Sequence, residues 1–372
     1  MPNNRILYAC QGIALANRGT APAAYTSGNM VHGVQSVSAT TTFNLEQSFE
    51  LGQLDIYENI EGLPDIEITL EKVLDGYPLI YHMASTGVQG TAGSGLSGRS
   101  KQQCDLRLFV FDEGQNNIYA SALASATDRT QLYASGMFIS SVSYSMPTDG
   151  NFTESITLVG NNKQWLSGNG GISNNVFVNF DSQDEPLAYT LIGSGGIQRR
   201  EDLIVSGCIF PQTIQGVVGT GIGNAWDVGQ GVPRIHAQNV TISTDFSRDD
   251  ILELGRRLPY YRPANFPVEV TCEIEAITVS GDFVNALENG NPIFNGTKDE
   301  GSNLSNDTIY LVTRAGYAWD LGTRNKLSSV SYGGGDAGGG NVSCTYSYTN
   351  FNVLDVQQRG RTPFGFNVQS AF

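Results

Sequence analysis

SVSATTTF at residues 36–43 lines up with NVTISTDF at residues 239–246, an offset of 203. Outward from that pair, Glu50-Leu51-Gly52 falls on Glu253-Leu254-Gly255 and Pro64 falls on Pro267 at the same offset. One residue then slips. At offset 202, Glu67, Thr69 and Glu71 meet Glu269, Thr271 and Glu273, and Asp105 meets Asp307, each aspartate opening an apolar run. SSVSY at 140–144 recurs at 328–332, an offset of 188, so the first copy holds about 14 extra residues, placed near 113–127. Matches in one order with nearly constant spacing read as one structural unit used twice.

Each copy has the same coarse grammar. Val37, Ala39, Thr41 and Phe43, like Val240, Ile242, Thr244 and Phe246, alternate with polar residues at the period of a strand. A short helix is then expected. In the first copy it spans Leu45 to Leu51 and ends at Gly52. In the second, Ser247 serves as N-cap, Asp249 and Asp250 lie in the first turn, Phe246 staples onto Ile251 or Leu252, and Gly255 ends it. Pro64 and Pro267 each open a long alternating strand, IEITLEKV and VEVTCEIE, with glutamates on the outer face. A hairpin closes each copy. In the first, FISSVSYSM turns through PTDGN into FTESITLVG. In the second, LSSVSY turns through a glycine-rich tip into NVSCTYSYTNF.

Composition agrees with a mainly β chain. Charged residues make up 15%, against about a quarter in ordinary domains, and 44 glycines supply turns. The net charge of −15 argues against binding nucleic acid by phosphate neutralisation and against an anionic membrane surface. No apolar run reaches the roughly 18 residues of a membrane-spanning helix. RILYACQGIALA at 5–16 resembles a secretory leader only superficially, since Cys10 and Gln11 interrupt it, and it reads as a first strand or arm. Five scattered cysteines without a CxxC suit reduced thiols.

The usual chemical signatures are missing. GTGIGN at 219–224 lacks the third glycine of a dinucleotide fingerprint and reads as a loop. His32, His82 and His236 have no metal-ligand spacing, and TKDEGSNLSND at 297–307 lacks the order of a calcium loop. Paired carboxylates such as Asp249 and Asp250 are accounted for by a helix start. No catalytic, cofactor-binding or metal-binding residue is assigned.

The duplicated β units, the Glu-Leu-Gly turns, the Pro-led strands and the stretch from Ser141 to Lys163 together resemble bacteriophage tail tube proteins, in the form with two tube modules on one chain. The resemblance implies two tandem β-sandwich or barrel modules, each with a short flanking helix. It implies a structural virion protein, not an enzyme and without cofactors, that forms a trimeric ring of pseudo-sixfold symmetry and stacks into a tube. Its partners would be itself and other tail proteins, with DNA only as passing cargo and no membrane. It would be assembled in the host bacterial cytoplasm. The expected division is 1–35 as an N-terminal strand or arm, 36–162 as module 1, 163–235 as an insert or linker, and 236–372 as module 2 with a C-terminal arm. The hairpins at 140–158 and 328–349 are expected to face the lumen, and the loop at 85–100 is expected either to contact a neighbouring ring or to be a plain linker. A tail hub or baseplate ring protein, a β-sandwich carbohydrate-binding module and a β-rich glycan lyase are the other readings. The three tryptophans, Trp165, Trp226 and Trp319, are not at repeat-equivalent positions, which weakens the carbohydrate reading.

Overall fold

The computed structural model describes residues 8, 11–20, 29–52, 54–86, 95–111, 130–167, 196–204, 207–211, 214, 235–278, 282, 284, 306–333 and 340–358. In chain order the elements are β1 (Gln11–Asn17), β2 (Val34–Phe49), β3 (Ile56–Val73), α1 (Ile80–Thr86), α2 (Leu96–Arg99), β4 (Cys104–Val110), β5 (Thr130–Pro147), β6 (Thr153–Gly160) and β7 (Lys163–Ser167). The second half continues with β8 (Ile235–Asp245), β9 (Glu269–Thr278), β10 (Tyr310–Val312), β11 (Tyr317–Asp320), β12 (Lys326–Gly333), β13 (Ser343–Phe351) and β14 (Asp355–Gln358). All named strand pairs are antiparallel.

Eight strands form one large sheet in the order β12-β13-β9-β8-β5-β6-β3-β2. It is open, with β12 and β2 at its ends, and it is not a closed barrel. β5 belongs to two layers. Its first half pairs with β4 and β7, while its second half pairs with β6 and β8. Gly136, at φ +70°, makes the bend between them, and its amide donates to the buried Asp105 carboxylate at 2.9 Å. A three-stranded sheet, β10-β11-β14, forms a corresponding second layer in the other half. One continuous apolar core runs through all of it, from Leu15 and Leu70 to Trp319 and Tyr348.

The registers of the two halves correspond. Leu108 faces Leu132 as Tyr310 faces Asp320, and Leu132 faces Trp165 as Asp320 faces Asp355. Val142 faces Ile156 as Val330 faces Tyr346, at offsets of 188 and 190. β5 is bulged between Ile139 and Ser141, and β12 is bulged between Leu327 and Ser329. β2 and β8 are bulged at Val34/Ser36 and Ala237/Asn239. Even β1 has a counterpart: Ile13 faces Leu108, and Ile209 bridges Tyr310. Within the stretch expected to be an insert, Ile209 thus makes with Tyr310 a bridge like the pair of Ile13 with Leu108.

Several sequence expectations change. Val37 faces Leu70 and Val240 faces Ile274, so the β3-to-β9 offset is 204 where the letters gave 202. A slip of two keeps every side chain on its face, which is why the pattern could not detect it. The expected helices at Leu45–Leu51 and 247–255 are absent. Residues 44–49 continue β2 and pair with 56–61 of β3, while 247–255 is irregular chain and turn. Gly52 (φ +96°) and Gly255 (φ +83°) stand in turns at the tips of these excursions. A positive-φ glycine ends a helix or turns a hairpin equally well, so the signal was ambiguous. Asp250 pairs with Arg262, Asp249 accepts from Asn265 at 2.6 Å, and Ser247 has φ +42°, so none of them caps a helix. The named α-helices, α1 and α2, lie in the first half, and among the other described residues Ile214 is also helical. Pro64 lies inside β3, and Pro267 just precedes β9.

Candidate interaction surface

The joint between the halves is the β5·β8 seam, where Ser141 faces Asp245, Val142 faces Thr244, Ser143 faces Ser243, Tyr144 faces Ile242 and Ser145 faces Thr241. Alternation sends Val142, Tyr144, Val240, Ile242 and Thr244 to the buried side and leaves Ser141, Ser143, Ser145, Thr241 and Ser243 on the other face. Phe246 follows β8 and is 0% exposed; its amide donates to the Ser140 carbonyl at 2.8 Å. Full burial of such a ring contributes about 2–3 kcal/mol. Arg248 locks the seam from the side. It donates to the carbonyls of Ile139 (2.6 Å), Ser100 (2.7 Å) and Arg262 (2.9 Å) and lies over the rings of Phe138 and Phe246. Burial pulls its guanidinium down to about 10, which still leaves it charged at neutral pH. Arg262 reaches back from the second half to Asp65 of the first at 3.3 Å.

The free ends of the sheet carry the counterparts of these seam residues. At the β2 end, Phe43, which corresponds to Phe246, is 68% exposed. At the β12 end, Tyr332, which corresponds to Tyr144, is 53% exposed, where Tyr144 is fully buried. Among the described residues both strands leave one row of backbone donors and acceptors without a strand partner.

Beyond the sheet, residues 44–62 form a two-stranded arm and residues 247–265 a less regular one, held by mutual hydrogen bonds between Ile251 and the Tyr260–Tyr261 pair. Their turns present Leu51 and Leu254 at 104% and 101% exposure, and Leu45, Phe49, Leu54, Leu252 and Leu258 are also exposed.

Behind the first half lies a buried polar cluster, the place where catalysis would be sought. Glu154 accepts from the amides of Ile80 (2.7 Å) and Tyr81 (3.1 Å) and from the Tyr144 hydroxyl (3.1 Å). Burial pushes its carboxyl up to about 7, against the lowering pull of those amides, of Lys72 and of Tyr144. Burial, with Arg99 adding to it, brings His82 down to about 4, so the neutral ring lies 2.8 Å from the Val356 carbonyl. Lys72 donates to the His32 carbonyl and to Asp75, both at 2.9 Å. Every one of these groups is turned to fastening α1 and the adjoining strands. In the second half the positions of Lys72 and Glu154 are held by Ala276 and Cys344.

The other sequence-selected residues do not converge. His82 is buried, His32 stacks on Tyr77 and His236 is exposed. Trp319 is buried against Tyr144, while Trp165 is exposed. Among the described residues no group of His, Cys, Asp or Glu is arranged to hold a metal, and no helix is long and apolar enough to cross a membrane. Cys104, Cys208, Cys272 and Cys344 are free and buried. Residues 216–224, Trp226, Cys10, most of 297–307 and the centre of the 85–100 loop lie outside the described residues; Arg99, in that loop, is buried on Ser85.

No protein-family model matches the chain, and no curated protein matches it. Among solved structures it is similar to the tube-terminating cap of the anti-feeding prophage, at 14% identity and TM-score 0.31, over 45% of this chain and 94% of that one. It is similar, at 13% identity and TM-score 0.31 and with the same coverage, to a chain of the extended sheath–tube complex of an extracellular contractile injection system. A chain of the anti-feeding prophage baseplate matches at 10% identity and TM-score 0.29, over 46% of this chain and all of that one.

Proposed function

We propose that this chain is a non-enzymatic structural subunit of a phage tail tube, built of two tandem modules. Three chains close into a ring of pseudo-sixfold symmetry, and rings stack around a channel for DNA. The observation that carries the reading is the open eight-stranded sheet, whose two unpaired ends expose the counterparts of its own buried seam. Closed cyclic assembly removes such edges, whereas a monomer would leave them as sites for uncontrolled pairing.

The size is suitable. Eight strands from each of three chains, spaced about 4.8 Å apart, give a circumference of roughly 115 Å and a backbone diameter of roughly 37 Å, enough for a nucleic-acid duplex. The face away from the core carries Glu67, Glu71, Glu269, Glu273 and Glu275 among serines and threonines. Turned inward, that face repels phosphates and lets DNA pass without being held. The first module is 36–162 and the second 236–372, with 163–235 between them; Ile209 of that middle stretch bridges Tyr310 as Ile13 faces Leu108. The particle is the virion tail, assembled in the host cytoplasm together with other tail proteins.

Electron microscopy of the purified full chain across a concentration series, with mass per ring, tests this. Stacked tubes with three copies per ring are expected. Single rings that never stack would point to a hub or baseplate ring, six copies per ring would remove the two-module count, and monomers throughout would overturn assembly.

A further inference from the structure

We infer that β12 of one chain pairs antiparallel with β2 of a second copy, in the register of the internal seam. β5 corresponds to β12 at an offset of 188 and β8 to β2 at 203, as their shared bulges require. Carrying the β5·β8 pairs across sets Ser329 opposite Thr42, Val330 opposite Thr41, Ser331 opposite Thr40, Tyr332 opposite Ala39 and Gly333 opposite Ser38. This rests on the ring reading and adds to it which edge meets which, and residue by residue how.

The exposed groups fit that partner. Docking covers Tyr332 as β8 covers Tyr144, and it places Phe43 where Phe246 lies at the internal seam. The junction is heterologous: a sheet end of one kind meets the other kind, so the same contact repeats around a ring.

Charge supports the same occupant. The first arm, 44–62, carries Glu46, Glu50, Asp55, Glu58 and Glu61 and no lysine or arginine. The second arm, 247–265, carries four arginines against Asp249, Asp250 and Glu253; Arg256 is exposed and pairs with Glu253, and Arg262 pairs with Asp250 and reaches Asp65 of the first half. Head-to-tail order puts each acidic arm between two arginine-bearing arms, one from its own chain and one from its neighbour. Pairing like ends, β2 with β2, would instead oppose two acidic arms.

The test is a cysteine pair in the full chain, Thr40→Cys with Ser331→Cys, mildly oxidised under assembling conditions, beside Ser38→Cys with Ser329→Cys, which lies four residues out of register. Disulfide-linked dimers and closed trimers from the first pair, and background from the second, are expected. In the unmodified chain, amide exchange at 37–43 and 329–333 should slow on assembly. Rings that form without the first cross-link and without that protection, or with both pairs linking equally, would overturn this junction and leave ring assembly standing. A chain that stays monomeric, with neither cross-link nor protection, would overturn both.

Discussion

Glu154 caps the start of α1 and His82 lies within it, and burial moves their protonation in opposite directions. The carboxyl, raised from 4.5 to about 7, contributes stability below pH 4.5 that is lost as pH rises through 7. The imidazole, lowered from 6.5 to about 4, contributes stability above pH 6.5 that is lost as pH falls through 4. Each shift is worth at most about 3 kcal/mol, so in the native chain the two nearly cancel between pH 4.5 and 6.5. Urea unfolding across that window should show Glu154→Gln losing about 2–3 kcal/mol on acidification relative to the native chain, and His82→Gln losing a similar amount on alkalinisation. Three parallel pH profiles would remove these two groups from the account. Neither role was legible in the sequence, because both depend on α1 lying over β6 and beside β14.

Phe43 and Phe246 hold one strand position in two settings, exposed at the β2 end and buried at the seam. Phe246→Asp places a carboxylate at a fully buried site in the seam and should cost about 3–5 kcal/mol or prevent folding. Phe43→Asp alters an exposed ring and should leave the melting curve of the monomer within about 0.5 kcal/mol of the native chain, while abolishing rings in the electron microscope. A Phe43→Asp chain that still forms rings would mean that β2 is not an assembly edge. The strands that carry these residues were readable from alternation alone. The arms were not: NLEQSFEL and SRDDILEL are rich in good helix formers, and their tertiary setting overrode that preference.

For the whole molecule, unequal charge on the two arms would make the proposed ring assembly depend on salt. Sheet pairing is short-ranged, whereas attraction between arms is screened beyond about 10 Å at 0.1 M salt. Sedimentation should therefore show the chain moving from rings toward smaller species as ionic strength rises. The double variant Arg256→Glu with Arg257→Glu should need a higher protein concentration to assemble at low salt, with its unfolding midpoint little changed. Equal assembly by both chains at every ionic strength would assign closure to the strands alone.

Alternation of apolar and polar residues by itself determined the β class, the faces of each strand and the recurrence of SVSATTTF and SSVSY in a second half, because side-chain direction in a strand follows a local period of two. Only the tertiary structure decided the β3-to-β9 register, the turn of each Glu-Leu-Gly into an arm, the joining of β5 to β8 and the two strands left at the ends. Those are choices of partner between residues tens to hundreds of positions apart, and a period of two fixes a strand's face while leaving its neighbour open.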